Sequence, residues 1–209
     1  MFLNKINLIF NLILFSTMHA GVLVNVKNII PSIEIDLKYA TTDNFVGKRI
    51  YDYETCYLLS EVAAALKEVQ IELSKQGFGL KIYDGYRTMQ AQRKFWEICP
   101  DERYVSNPYK EMGRHTRGTA VDLTLINLKT KKELEMPTAF DDFTEKAAPN
   151  YQGASKVATK NRSLLQKVMN KYGFINNKTE WWHFDFNGWR DHAPLNINPK
   201  NEDRIEINS

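Results

Sequence analysis

Apolar residues recur along this chain at the spacing of helices in two places. Two stripes have that spacing: Leu58, Val62, Leu66, Val69 and Leu73, and then Leu164, Leu165, Val168, Met169 and Tyr172. Gly77 and Gly173 follow the two stripes at positions typical of a helix end. A third helix is predicted from its ends, because Thr88 can cap a segment running through Trp96 and Pro100 prevents its continuation.

Strands are predicted where β-branched and aromatic residues alternate with polar ones. Val22 to Leu37 suits one or two strands, and Gly79–Tyr83, Thr119–Ile126 and Trp181–Phe186 each suit one. The strands and helices are mixed without regular βαβ alternation. The pattern therefore predicts an α+β fold, with helices packed on a central, mainly antiparallel sheet.

The first twenty residues have the pattern of a secretory signal peptide. Lys5 precedes an apolar run from Ile6 to Phe15, and the stretch ends at the small residue Ala20. Met18 departs from the usual cleavage pattern, so an N-terminal strand or a misassigned start remains an alternative interpretation. The run is too short for a membrane-spanning helix. We expect residues 1–20 to be removed and the mature chain to be periplasmic or secreted, with a cytoplasmic protein as the alternative.

The remaining chain is long enough for one domain, which we place at residues 21–195, followed by a loose polar tail at 196–209. A hydrophobic content of 43% indicates a folded protein. The net charge of +3 gives no reason to expect nucleic acid or a membrane surface as a partner. Cys56 and Cys99 lack the close spacing of a zinc–thiolate site, and we expect two separate thiols, although the sequence leaves pairing open.

Two segments contain histidines in settings that suit metal binding. His115 lies in a loop containing Gly118, and Asp122 follows inside the predicted strand. His183 ends the sequence Glu180-Trp181-Trp182-His183. Two imidazoles and one carboxylate would leave a fourth position open on a metal, which is typical of catalytic zinc.

Two further side chains have the chemistry of peptide hydrolysis. Glu180 is three residues before His183, so it must lie at the strand entrance or at a bulge to reach the same cavity. There it could act as a general acid and base. Arg87, at the junction of a strand and a helix, could stabilise an oxyanion. Each motif alone is more typical of an ordinary hydrogen-bonded pair, a surface residue or a salt bridge.

In combination, these segments resemble the zinc D-alanyl-D-alanine dipeptidases of the vancomycin-resistance type. Their superfamily includes zinc D-Ala-D-Ala carboxypeptidases and the hedgehog signalling domain, with the pattern S-x-H-x-x-G-x-A-x-D followed by E-x-x-H. The residues that match the pattern in order are His115, Gly118, Ala120, Asp122, Glu180 and His183. The D-G-Y-R segment Asp84–Arg87 and the doubled Trp181-Trp182 are features of the dipeptidase branch. The similarity runs from about Ile33 to Phe186.

This resemblance implies a zinc dipeptidase of cell-wall peptides with one zinc per chain. His115, Asp122 and His183 would be the zinc ligands, placed on the central antiparallel sheet of an α+β fold. Glu180 would be the catalytic base, and Arg87 would stabilise the transition state. The expected substrate is the small dipeptide D-alanyl-D-alanine.

The resemblance also suggests substrate-binding residues, with one departure. Asp141 would hold the substrate ammonium. Gly113 replaces the leading Ser of the family pattern, whose hydroxyl can help bind the substrate carboxylate, and Arg114 or Arg117 could compensate. Asp185 is a candidate hydrogen-bond partner for a ligating histidine, whereas we expect His192 to be a surface or packing residue. Gly113 leaves the choice of substrate open.

Two alternative functions compete with the dipeptidase. A D-Ala-D-Ala carboxypeptidase or endopeptidase would act on longer wall peptides in a broad cleft. A non-catalytic zinc-containing binding module would have no need of Glu180 and Arg87. The sequence leaves the oligomeric state and the biological purpose open, although a signal peptide favours wall turnover or nutrient salvage over glycopeptide resistance.

Overall fold

The computed structural model describes residues 21–110, 112–199 and 202–207, and the predicted signal peptide at 1–20 lies outside them. Within these ranges the strands are β1 (Val22–Asn25), β2 (Glu34–Ile35), β3 (Tyr57–Leu59), β4 (Phe78–Asp84), β5 (Ala120–Asn127), β6 (Phe174–Asn176), β7 (His183–Phe186) and β8 (Arg204–Glu206). The helices are α1 (Val26–Ile29), α2 (Ser60–Ser74), α3 (Met89–Ile98) and α4 (Lys156–Lys171).

The three helices predicted from the sequence are confirmed, although Leu58 of the first apolar stripe lies in β3 and α2 begins at Ser60. On α2, Val62, Leu66 and Val69 are fully buried, because their spacing places them on one face. Helix α3 begins where Thr88 caps it, with its hydroxyl accepting a hydrogen bond from the Ala91 N–H at 3.0 Å. Ser155 caps α4 in the same way through the N–H of Ala158.

The main sheet has five strands in the order β2-β4-β5-β7-β6, and only the β2–β4 pair is parallel among the described residues. A second, antiparallel sheet has the order β3-β1-β8. Helix α2 contacts β4 and helix α4 contacts β5, so the helices cover the main sheet. The predicted α+β class with a mainly antiparallel sheet is confirmed.

Three predicted boundaries differ from the structure. Val22–Leu37 contains β1 and β2, but α1 separates them because the Asn25 side chain accepts a hydrogen bond from the Lys27 N–H and starts a helical turn. Strand β7 begins only at His183, because the Trp181 N–H donates to the Ala147 carbonyl instead of a strand partner. The expectation of a loose tail after Asn196 is wrong for Arg204–Glu206, which forms β8 and pairs with β1.

The register of the main sheet places chemical groups beside one another at its centre. Asp122 on β5 lies opposite His183 on β7, and opposite Asp84 on β4 across a register shift. Val121 and Leu123 join the hydrophobic core, so Asp122 between them points to the other face of the sheet. Polar residues on three adjacent strands therefore share one face.

Other expectations concern the cysteines and membranes. Cys56 and Cys99 are both unpaired, Cys56 buried and Cys99 partly so, as the sequence suggested. Burial raises the pKa of the Cys56 thiol above its ordinary range. None of the described helices has the length and apolarity needed to cross a bilayer.

Candidate metal centre and active site

His115 is held in place by a turn that depends on glycine. It begins the 3-10 turn His115–Arg117, which ends at Gly118 with a φ of +69°. A Cβ at this position would lie 3.0 Å from Leu23 Cδ2, and the Gly118 carbonyl accepts a hydrogen bond from the Leu59 N–H. Glycine therefore lets the loop fold back onto β3 and turn into β5.

His115, Asp122 and His183 form a buried group that could hold a metal ion. Their candidate ligand atoms lie within 4.8 Å of one another. His183 Nδ1 is 2.9 Å from Asp122 Oδ1, and His115 Nε2 is 3.4 Å from Asp122 Oδ2. The two facing ring nitrogens, His115 Nε2 and His183 Nδ1, are 3.2 Å apart. Two imidazoles and a carboxylate are a ligand set that suits zinc.

The other ring nitrogen of each histidine already has an acceptor. His115 Nδ1 lies 2.8 Å from the Gly85 carbonyl, and His183 Nε2 lies 3.0 Å from Asp185 Oδ1. Each ring can thus donate on one side and present a lone pair to the other. Asp185 is in turn paired with Arg114, whose Nε is 3.1 Å from Asp185 Oδ2. The predicted outer partnership of Asp185 with His183 is present in the structure.

The electrostatics of the group also suit a cation. Burial alone would lower the pKa of His183, but the carboxylates of Asp122 and Asp185 raise it well above its ordinary value. Asp122 Oδ1 is buried and has no hydrogen bond of regular geometry to a described residue, although His183 Nδ1 lies 2.9 Å away. A buried carboxylate oxygen without a donor is costly unless a positive charge faces it. The three residues therefore fit a divalent metal.

Glu180 lies in the chain just before β7, at the strand entrance that its spacing required. Its Oε2 is 3.9 Å from His183 Nδ1 and accepts a hydrogen bond from Asn177 Nδ2 at 3.2 Å. Burial raises the pKa of Glu180 above its ordinary value. A carboxylate with a raised pKa beside the metal-binding group has the properties of a general base.

Arg87 lines the same cavity, and three hydrogen bonds hold its guanidinium in place. Its Nη2 donates to Asp84 Oδ2 at 2.7 Å, its Nε to the Tyr51 hydroxyl at 3.1 Å, and its Nη1 to Gln92 Oε1 at 3.0 Å. The Phe95 ring lies 4.7 Å from the guanidinium carbon. A guanidinium has five N–H groups, so two remain for a ligand in the cavity.

Asp141 also lines this cavity, and its own backbone has a φ of +60°. The Tyr39 hydroxyl lies 2.9 Å from Asp141 Oδ1 and 3.2 Å from Oδ2. Burial raises the pKa of Asp141 to about 8, although the hydrogen bond from Tyr39 acts in the opposite direction. Asp141 is half-buried, and a positively charged group beside it would favour its ionised form.

Replacing Asp141 with Asn should change how stability depends on pH. Because the folded-state pKa of about 8 exceeds the ordinary value of 3.8, the proton on Asp141 stabilises the fold at low pH. That contribution is lost as the pH rises from about 4 through about 8, and a difference of about four pKa units corresponds to a loss of up to about 6 kcal/mol. Urea unfolding of chelator-treated protein at pH 5 and pH 8.5 should show a steeper decline for wild type than for Asp141→Asn.

Asp142→Asn is the matched control, since it removes the same charge one position along the chain. Asp142 accepts a hydrogen bond from the Thr144 N–H and does not line the cavity. This variant should retain the wild-type pH profile. If Asp141→Asn and wild type decline in parallel, the pKa of Asp141 is not raised in the folded protein.

The remaining predicted site residues separate into two groups. Gly113 and Arg114 line the cavity. Arg117 does not, because its guanidinium donates to the His192 carbonyl and lies over the Trp189 ring. His192 lies apart from the metal-binding group, with its Nε2 3.7 Å from Glu61 Oε1, as expected for a surface residue.

Sequence reasoning missed three side chains that hold the site together. Tyr39 bonds Asp141, Tyr51 bonds both Asp84 and Arg87, and Gln92 bonds Arg87. The tyrosines come from loops before β3, far from the other site residues along the chain. The sequence gives only a weak indication for Gln92, a polar residue on the buried face of α3, five positions after Arg87.

The cavity that these residues line is small and has an aromatic wall. Its volume is about 90 Å³, below the roughly 300–1,000 Å³ typical of pockets for drug-sized ligands. Trp182 and Phe143 line it, with their ring centres 6.3 Å apart. Trp181 is buried beside them and donates from its indole N–H to Thr138, so the Trp pair is wall and core.

Comparisons with known proteins agree on one family. The model of the peptidase M15 family, described as D-ala-D-ala dipeptidase, matches residues 19–196. The D-alanyl-D-alanine dipeptidase of Escherichia coli (strain K12) is 39% identical over 163 residues, covering 78% of this chain and 83% of its own. That of Enterococcus faecalis (strain ATCC 700802 / V583) is 33% identical over 168 residues, with 71% and 83% covered.

Among solved structures, the vancomycin-resistance D,D-pentapeptidase VanY in complex with Zn(II) is similar at a TM-score of 0.41 and 15% identity. That similarity covers 67% of this chain and 78% of VanY. The family assignment rests on the sequence matches alone.

Proposed function

Since this chain belongs to the peptidase M15 family of D-Ala-D-Ala dipeptidases, we propose that it hydrolyses the peptide bond of D-alanyl-D-alanine. The observation that carries the proposal is the position of Glu180, Arg87 and Asp141 around one small cavity with the buried His115–Asp122–His183 group. A general base, an oxyanion donor and an acid for the substrate ammonium are thus gathered at a metal-binding site.

The metal that we propose is zinc, at one ion per chain. His115, Asp122 and His183 would hold it, through one ring nitrogen of each histidine and the Asp122 carboxylate. When bound, zinc supplies Lewis acidity that polarises a carbonyl and lowers the pKa of a water molecule. The hydrogen bonds to Gly85 and Asp185 orient the two rings for this task.

The protein side chains would divide the remaining chemistry. Glu180 accepts a proton from the attacking water and returns it to the leaving amine. Arg87 offers its two remaining N–H groups to the oxyanion of the tetrahedral intermediate, held in place by Asp84, Tyr51 and Gln92. Asp141 pairs with the substrate ammonium. A small cavity with charged groups at fixed positions favours a free dipeptide over a longer wall peptide.

Dipeptide kinetics test this function. We expect cleavage of D-Ala-D-Ala, loss of activity with a chelator, and poor cleavage of the N-acetylated dipeptide, which leaves Asp141 without a partner. L-Ala-L-Ala serves as the stereochemical control. Faster cleavage of a wall pentapeptide or of the acetylated dipeptide would instead indicate a carboxypeptidase. Failure to cleave any of them with zinc bound would favour a binding module.

The N-terminal pattern supports a further proposal about location. Lys5 and the apolar run to Phe15 favour export to the periplasm or secretion, with cleavage near Ala20. Mass spectrometry of the mature N-terminus should find residues 1–20 missing. An intact Met1 on protein from the cytoplasm would contradict export.

A further inference from the structure

Ser106 lies on the wall of the same cavity, on the loop between α3 and β5. Ser106 is exposed, and its hydroxyl makes no hydrogen bond to another described residue, so it is open to water or to a ligand in the cavity. Its backbone carbonyl accepts a hydrogen bond from Gln92 Nε2 at 2.6 Å, and Gln92 Oε1 accepts one from Arg87 at 3.0 Å. Buried Gln92 therefore fixes Ser106 relative to the guanidinium of Arg87.

Ser106 occupies the space beside Gly113 into which a side chain at residue 113 would point. A Cβ at Gly113 would lie 3.4 Å from Ser106 Cβ and 3.5 Å from Ser106 Oγ. The φ of Gly113 is +72°, a conformation that residues with a side chain rarely adopt. The hydroxyl missing from Gly113 is thus present close by, on a different loop.

The charges around the cavity indicate which end of a dipeptide meets Ser106. Asp141 and Glu180 are acidic and would repel a substrate carboxylate. The wall formed by Gly113, Arg114 and Ser106 carries donors and positive charge instead. Arg114 is already engaged, since its guanidinium stacks on Trp189 at 4.9 Å and pairs with Asp185. The Ser106 hydroxyl also faces this wall without a hydrogen-bond partner among the described residues, and it can reorient toward a ligand while Arg114 is held by Trp189 and Asp185.

We propose that Ser106 donates a hydrogen bond to the C-terminal carboxylate of the substrate and determines specificity for a free carboxylate. This inference rests on the proposed dipeptidase function and identifies the residue that recognises one end of its substrate. It also explains how a chain with glycine at position 113 can retain a hydroxyl at that end.

Calorimetric binding of two ligands tests the proposal in zinc-loaded Glu180→Gln protein, where binding can be measured with turnover suppressed. D-Ala-D-Ala has the carboxylate, and D-alanyl-ethylamide has the same ammonium but no carboxylate. Ser106→Ala should weaken the first ligand about tenfold, as expected for a hydrogen bond to a charged acceptor. It should change the affinity for the second ligand by no more than about twofold. In wild-type background, Ser106→Ala should raise KM more than it lowers kcat.

Two variants serve as controls. Ser106→Thr keeps the hydroxyl and should restore binding to within about threefold of Ser106, whereas loss of the loop conformation would not be rescued. Ser163→Ala, on the exposed face of α4, should leave both affinities unchanged. Equal weakening of both ligands by Ser106→Ala, or no weakening of either, would overturn the role of Ser106. If wild type neither binds nor cleaves D-Ala-D-Ala, the proposed function itself fails.

Discussion

Glu180→Gln protein is expected to lose about 10²–10⁴ in kcat while it keeps its metal, because a positioned general acid and base contributes a factor of that size. Gln has nearly the shape of Glu, so the contact with Asn177 can remain. It cannot accept the proton of the attacking water at neutral pH. Steady-state kinetics on D-Ala-D-Ala, with metal content measured on the same preparation, would give both quantities.

Because Glu180 lies close to the metal-binding group, measuring kcat and metal content separately distinguishes a catalytic base from a metal ligand. Its Oε2 is 3.9 Å from His183 Nδ1, close to the metal-binding group but outside the trio of ligand atoms that converge. Burial also raises the pKa of Glu180, which brings it nearer to neutral pH, where a base is most effective.

Glu145→Gln provides the matched control, since Glu145 is exposed in a 3-10 turn away from the cavity. It should retain wild-type kcat and metal. Near-normal turnover in Glu180→Gln would remove Glu180 from the chemistry, and loss of metal would make it a ligand instead.

The helices and the fold class were predictable because they depend on local pattern. The apolar spacing of α2 and the capping Thr88 of α3 are properties of short segments, and the structure confirms both. The predictions failed where a segment's structure depends on a partner that is distant in sequence. Strand β8 forms because β1 offers an unpaired edge to Arg204–Glu206, and no periodicity in that polar segment predicts such a partner.

In the candidate site, too, the residue types were predictable from local sequence, whereas their arrangement depends on tertiary contacts. The residue types and the motif order identified His115, Asp122, Glu180 and His183. Their convergence depends on the register that places Asp122 opposite His183, and register is set by the whole sheet. Tyr39, Tyr51 and Ser106 were missed because none lies in a segment with a periodic pattern. Only tertiary packing brings Tyr39 and Ser106 to the cavity and Tyr51 to Arg87.

Removing one histidine from the metal-binding group should abolish activity altogether. His115→Ala or His183→Ala leaves one imidazole and a carboxylate, too few protein ligands for a catalytic zinc site. We expect zinc to fall from about one ion per chain to near zero, and hydrolysis of D-Ala-D-Ala to fall to background. Elemental analysis after dialysis, together with the dipeptide assay, measures both losses.

His192→Ala is the matched control, because it removes an imidazole that lies against Glu61 and away from the cavity. It should keep full zinc and full activity. Circular dichroism would establish that each variant is folded, so that a loss of zinc can be assigned to the missing ligand. Asp122→Asn extends the test, since it keeps the shape of the side chain but removes the charge that faces His183 at 2.9 Å. Full zinc occupancy in folded His115→Ala and His183→Ala protein would show that the ion binds elsewhere.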